Sequence, residues 1–385
     1  MAKAARATSE ETQTIDPFEP RRNPHLEGHD EAEATVLDAW NSGRFPHAWL
    51  LCGAEGIGKA TFAYRLARFI LANGGAEDGG GEGGSNLFGD ALAADGLAIS
   101  GESQTARLVA SAGHPDMRVL TRGMMDAAGK PTATIINVFQ TRRVVDFTYQ
   151  TSAISPWRVV IVDPADDFNT SSANAILKAL EEPPPRAAFL LISHSPGGLL
   201  PTIRSRCRKL QFKALDDDRV ASLVRRYRPE TPEEEARTLA RIAEGSVGRA
   251  LAYQAAGGLG LFGDLTALLS RPREPDIGHV SRLADRVAGK GREAAYDALG
   301  DLMDWWFKRL VRGIATGEGP APIDTADAQA IAAFRDLGGG PGPVLTIRDR
   351  AVELLGQAHP PANLDRRQIT FALFTEMQRL SRGGA

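Results

Sequence analysis

Short apolar runs that end on a charged or small residue alternate, in the N-terminal half of the chain, with stretches whose apolar residues recur every three or four positions. The runs Ala48-Trp-Leu-Leu-Cys52, Arg158-Val-Val-Ile-Val-Asp163 and Ala187-Ala-Phe-Leu-Leu-Ile192 have no polar interruption. That is the pattern of strands buried on both faces of a parallel sheet. Ile135–Asn137 reads as a shorter strand. Between them lie helical patterns: Glu31–Asn41 with Val36, Leu37 and Trp40 inward, a face of Phe62, Leu66, Phe69 and Ile70, and Val138–Tyr149. A further stripe, Ala173, Ile176, Leu177 and Leu180, opens on Asn169 as N-cap and is stopped by Pro183-Pro184-Pro185. Leu199–Ile203 reads as one helical turn.

After Phe212 the strands cease. Asp216–Tyr227 and Glu233–Ala243 read as helices, closed by Gly245-Ser-Val-Gly248-Arg249-Ala-Leu251, and a glycine-rich stretch at Gly257–Gly263 suggests a join. Beyond it the stripes Ala298, Leu299, Leu302, Trp306, Leu310 and Ile369, Ala372, Leu373, Met377, Leu380 are helical. The order predicts a doubly wound α/β core over 21–213, a small helical domain over 214–258 and an all-helical domain over 259–385. Residues 1–20 lack periodicity and read as disordered. Residues 73–113, which include Gly79-Gly-Gly-Glu-Gly-Gly84, read as a flexible excursion.

Composition narrows the function. The chain has 385 residues, a net charge of −3, 43% hydrophobic and 24% charged residues, which suits a globular protein of two or three domains. A near-neutral balance argues against a chain that grips nucleic acid by itself. The two cysteines, Cys52 and Cys207, make no framework and read as reduced and packed. No apolar run reaches transmembrane length and the N-terminus is not signal-like, so the expectation is a cytoplasmic protein without a membrane partner.

The chain becomes specific from Asn23-Pro-His-Leu-Glu-Gly-His29 onward, and the chemistry begins after the first strand. Gly53-Ala-Glu-Gly56-Ile-Gly58-Lys59-Ala60-Thr61 has the spacing of a phosphate-binding loop that opens a helix. Backbone N–H groups form an anion nest, the glycines permit the turn, and the lysine reaches outer phosphates. Position 60 departs from the pattern. It calls for Ser or Thr to hold Mg²⁺, Ala60 has no oxygen, and Thr61 points about 100° further round the helix. The acidic partner has a matching defect: Asp163 ends a strand, yet Pro164 follows where a Glu would polarise the attacking water. Asp166 and Asp167 read as a solvated turn. Glu181 and Glu182 stand at a helix C-terminus that disfavours anions, and Arg204, Arg206, Arg208 and Lys209 crowd together, so a partner outside the segment is expected for these charges. His114 and Asp116 alone are a weak metal signal, better read as a loop histidine satisfied by backbone. Arg348, Arg350, Arg366 and Arg367 read as solvated or salt-bridged.

Four features occur in order: the phosphate loop, the strand ending in Asp163, Asn174-Ala-Ile-Leu-Lys-Ala-Leu-Glu-Glu-Pro-Pro184 and Thr202-Ile-Arg-Ser-Arg-Cys207. Over most of residues 20–260 the chain resembles the clamp-loader subunits of bacterial DNA polymerase III, within the AAA+ group. Ala60 and Pro164 align it with the non-hydrolysing delta-prime kind, since the similar gamma/tau ATPases have intact loops. The resemblance implies an AAA+ core over 21–213, a lid over 214–258 and a collar over 259–385 through which subunits form a hetero-pentameric ring. It implies delta and gamma/tau subunits as partners, with sliding clamp and primed DNA met through the complex. It implies a degenerate nucleotide site at Gly53, Gly56, Gly58, Lys59, Ala60, Thr61 and Asp163, with ATP or ADP bound weakly or not at all and no cofactor required. Arg206 matches the family's arginine finger, acting in trans. Arg249 resembles the arginine that reports nucleotide state, or is an arginine on a solvated helix face. Relatives often carry a four-cysteine zinc module within 73–113; those cysteines are missing here, so no zinc is expected. The alternatives are an active gamma/tau-like ATPase and a small-molecule P-loop kinase.

Overall fold

The computed structural model describes residues 19–74, 94–125, 128, 135–359 and 362–383. Nearly all of the N-terminal segment expected to be disordered, and the glycine-rich 75–93, lie outside them. The chain divides into two compact units, Met1–Lys213 and Ala214–Ala385.

The first unit runs α1 (Asp30–Asn41), β1 (Ala48–Cys52), α2 (Lys59–Asn73), α3 (Gln104–Ala110), β2 (Met117–Leu120), α4 (Val138–Thr148), β3 (Arg158–Val162), α5 (Thr170–Glu181), β4 (Ala187–Ser193), α6 (Pro201–Arg206) and β5 (Arg208–Gln211). The five strands form one parallel sheet in the order β2-β3-β4-β1-β5. Because side chains alternate across a strand, β1 sends Trp49 and Leu51 to one face and Ala48, Leu50 and Cys52 to the other. On the first face they meet Val36 of α1, Phe62, Leu66, Phe69 and Ile70 of α2, and Val109 of α3. On the second lie Val144 of α4, Ile176 and Leu180 of α5, and Ile203 of α6. Uninterrupted apolar strands are thus buried on both sides. Asn137 and Asn169 cap α4 and α5 by accepting from the N–H groups of Gln140 and Ser172, at 2.9 and 2.8 Å.

The structure corrects several expectations here. Residues 94–113 are ordered, not a flexible excursion: Leu97 is buried, its N–H donates to Glu33 at 2.9 Å, and Ser103 caps α3, which buries Ala106 and Val109. Ile135–Asn137 is not a strand, because Asn137 is spent on the cap and Ile136 makes a single bridge with Phe168. The edge strands β2 and β5 were not expected.

The second unit is helical: α7 (Asp217–Tyr227), α8 (Glu233–Ala243), α9 (Val247–Ala255), α10 (Gly258–Leu269), α11 (Ile277–Val287), α12 (Glu293–Thr316), α13 (Thr325–Arg335), α14 (Pro341–Gly356) and α15 (Arg366–Ser381). The glycines of 257–263 are no slack linker. Most of the stretch is the start of α10, and a Cβ on Gly258 would lie 2.6 Å from the carbonyl oxygen of Tyr253, so glycine serves close approach there. Ala298, Leu299, Leu302, Trp306 and Leu310 are buried along α12. In α15 Ile369, Leu373 and Met377 are buried, whereas Ala372 is exposed and Phe374 takes the inward place. Asp327, fully buried, accepts from Trp306 Nε1 at 2.7 Å, Arg309 Nη2 at 2.5 Å and the Ile323 N–H at 2.7 Å. Arg348, Arg350, Arg366 and Arg367 all sit in ion pairs, with Asp304, Glu353, Glu293 and Asp285. Among the described residues no helix is long and apolar enough to cross a membrane.

Candidate functional site

The loop that leaves β1 is shaped by its glycines and by what lies over it. Gly53 has φ +152°, and a Cβ there would lie 2.6 Å from the Phe212 carbonyl oxygen, so no other residue fits. Gly56 and Gly58 also have positive φ, 73° and 105°. His29 closes over the turn, with its Nε2 2.6 Å from the Ile57 carbonyl oxygen and its ring edge-on to Phe212 at 4.8 Å.

Lys59 is buried, and its ammonium donates to the carbonyl oxygens of Gly53, at 2.7 Å, and Ala54. Desolvation lowers its pKa to about 8, against the opposing pull of Asp163 and Glu55. Ala60 packs its methyl group against the core, and Thr61 follows on the next helical position. The loop therefore has the glycines and the lysine that a phosphate loop calls for. It does not supply the hydroxyl at position 60 that holds a nucleotide's metal ion.

Asp163 leaves the end of β3, where its own N–H donates to the Leu120 carbonyl at 2.9 Å. Burial raises its pKa, while His194 and Lys59 oppose the rise. Asp163 and Lys59 thus share one electrostatic environment. Asp166 is a correction. Instead of a solvated turn it is a clasp between strand ends, accepting from Ser193 Oγ at 2.8 Å, the His194 N–H at 2.6 Å and the Ser195 N–H at 3.2 Å. Asp167 pairs with Arg122 at 3.6 Å.

Arg206 is the last residue of α6. Its Nη2 lies 2.7 Å from Glu181 Oε1 at the end of α5, and its Nη1 donates to the Thr202 carbonyl at 3.0 Å. These charges find each other within the segment, not in an outside partner as expected, because the turn after α5 and the short α6 bring two helix C-termini together. Arg208 stacks over the Trp49 ring at 5.1 Å. Arg249 belongs to the second unit, in the first turn of α9, where its N–H donates to Ser246 Oγ at 3.1 Å. Cys52 and Cys207 are both free and buried.

At the far edge, His114 Nδ1 accepts from the Asp116 N–H at 3.2 Å while its buried Nε2 has no partner, so backbone satisfies only half of the ring. The Asp116 carboxylate accepts from the N–H groups of Ala153, Ile154 and Ser155, at 2.6, 2.7 and 2.9 Å. It is a structural anchor. Two residues escaped the sequence reading: Asp166, masked by a polar turn, and His29, whose only signal was the distinctive Asn23–His29 segment.

A parallel sheet with a phosphate loop after β1, and an acidic end to β3 one strand removed, defines the core as a P-loop α/β module. Residues 28–216 match the family model described as DNA polymerase III, delta subunit. The chain is 29% identical to the DNA polymerase III subunit delta′ of Pseudomonas aeruginosa over 87% of its length and 92% of that protein's. The family model and this relative agree in marking the chain as similar to the delta-prime subunits of DNA polymerase III. It is also 25% identical to the subunit gamma/tau of Mycobacterium bovis, over 74% of this chain and 46% of that one. A solved gamma subunit-related protein of Thermotoga maritima aligns with 90% of this chain and 100% of its own, at 17% identity and a TM-score of 0.36.

Proposed function

We propose that the chain is a non-hydrolysing member of the DNA polymerase III clamp loader, which takes part in placing the sliding clamp on primed DNA. The observation that carries the reading is a phosphate loop that keeps its lysine but has lost its metal ligand, in a core that also presents an arginine at a helix end. Ala60 removes the metal-holding oxygen, and Pro164 takes the place of the carboxylate that would activate water. Lys59, turned onto its own loop, leaves nucleotide weakly bound or unbound. No cofactor and no zinc are required.

The active contribution is then made in trans. Arg206 reaches the γ-phosphate held by a neighbouring gamma/tau subunit, where a planar guanidinium stabilises transition-state charge and is worth ~10³–10⁵ in rate in such enzymes. Residues 214–258 serve as lid, with Arg249 at its edge, and 259–385 as the collar that joins delta and gamma/tau subunits in a pentameric ring in the cytoplasm.

A gamma/tau-like ATPase is the second reading, favoured by the surviving Lys59 and by the likeness to a gamma/tau subunit. One measurement tests membership of the clamp loader and a second separates the two readings. Purification from cells should bring down the other clamp-loader subunits, and the isolated chain should show no Mg²⁺-dependent ATPase, even as the Ala60→Ser variant. Robust turnover by the isolated chain would move the assignment to the ATPase class.

A further inference from the structure

Glu181 stands where a helix least favours it. It is the last residue of α5, at the negative end of the macrodipole, and its side chain remains 46% exposed. The backbone around it is held firmly. His47 Nε2 meets the Leu180 carbonyl at 3.1 Å, Tyr149 Oη donates to the Glu182 carbonyl at 3.3 Å, and the buried Pro184 carbonyl accepts from the Ala187 N–H at 3.3 Å. The Leu-Glu-Glu-Pro-Pro segment therefore fixes a carboxylate in space, and that carboxylate meets Arg206 at 2.7 Å.

We propose that Glu181 is a positioning residue for Arg206: with the Thr202 carbonyl it fixes the plane of the guanidinium so that the remaining donors face an acceptor on a neighbouring subunit. This rests on the reading of Arg206 as an arginine used in trans. A guanidinium carries five N–H donors in a rigid fork. One N–H of Nη2 goes to Glu181 and one of Nη1 to Thr202, which leaves Nε–H and one N–H on each terminal nitrogen for a phosphate.

An ion pair this exposed contributes little to stability, so its value lies in the order it imposes. A free arginine samples many rotamers, and freezing them at the moment of reaction slows the step that needs them. Glu181 removes that freedom beforehand.

The test uses complexes reconstituted with full-length chain carrying Arg206→Ala, Glu181→Ala, Glu181→Gln or the Glu181→Ala/Arg206→Ala pair. The clamp- and DNA-stimulated ATPase lost on Arg206→Ala defines the arginine-dependent component. Glu181→Ala should lower kcat for that component by roughly three- to tenfold with little change in KM for ATP. Glu181→Gln, which keeps an acceptor oxygen, should recover part of it, and the double variant should be no slower than Arg206→Ala alone. Wild-type rates with Glu181→Ala would overturn the proposal, and so would faster rates, which would mean that the pair holds the arginine back. If Glu181→Ala fails to assemble, Glu181→Gln decides: a rate between those of wild type and Arg206→Ala supports the role, and an unchanged rate removes it. If Arg206→Ala itself runs at the wild-type rate, the trans reading falls and takes this proposal with it. An impaired Arg206→Ala beside an unaffected Glu181→Ala leaves the trans reading standing and removes only the positioning role.

Discussion

The ammonium of Lys59 lies 2.7 Å from the carbonyl oxygen of Gly53, so the lysine that such a loop directs at a phosphate is turned onto the loop's own backbone. Its burial lowers the pKa to about 8. An unfolded lysine titrates near ~10.4, so between about pH 8 and 10 the unfolded chain holds more protons at this site.

Lys59 should therefore make folding more favourable as pH rises through that window. The buried thiols of Cys52 and Cys207 have raised pKa values and act in the opposite direction, so the informative quantity is a difference. The unfolding free energy of wild type minus that of Lys59→Met should climb by up to about 3 kcal/mol between pH 7.5 and 10. Denaturant titrations at four pH values measure it, and a flat difference would place the charged amine in water.

Substitution at Arg206 separates charge from shape. In a reconstituted loader, Arg206→Ala should leave folding and assembly intact but remove part of the stimulated ATPase, since on the proposed reading only one site borrows this residue. Arg206→Lys should rescue little, because an ammonium cannot reproduce a planar fork held at two points. Full activity with lysine would show that a point charge suffices.

The Asp166 clasp joins the loop after β3 to the end of β4. Its three acceptor contacts make Asp166→Ala a loss of ~2–3 kcal/mol, with Asp166→Asn losing less. Urea unfolding of the full chain reads the effect, and an unchanged midpoint would return Asp166 to a solvated turn.

In the second unit, Asp327→Ala would leave the Arg309 cation unpaired beside the Trp305 ring, 4.6 Å away. Removing one partner of a buried pair costs about 3–5 kcal/mol. The variant should unfold at markedly lower denaturant, whereas Arg348→Ala, whose pair with Asp304 is part-exposed, should shift stability by under ~1 kcal/mol.

What could be read from the sequence follows from burial. β1, β3 and β4 are the three inner strands, apolar on both faces, and each was visible as an unbroken run. β2 and β5 are edges of four residues each, and Arg118, Arg208 and Lys209 interrupt their apolar pattern. Charged edge strands discourage pairing with other chains, and the same charges conceal them from a search for hydrophobic runs. The loop at Gly53–Lys59 was legible because its spacing is dictated by local backbone geometry. Asp166, His29 and the Glu181–Arg206 pair were not, because each joins residues distant in sequence through contacts that only the packed sheet creates.

The register between β1 and β5, Trp49 against Arg208 and Cys52 against Gln211, gives the core a direction. Phosphate loop and Arg206 leave opposite ends of two neighbouring parallel strands, about 10 Å apart along the strand axis. On the proposed reading, one end of the core receives and the other gives, so successive subunits can only join head to tail. A chain whose receiving end is disabled while its giving end remains whole breaks the equivalence of positions in such an assembly. On that reading it closes the series of active sites in the ring, as a full stop closes a sentence.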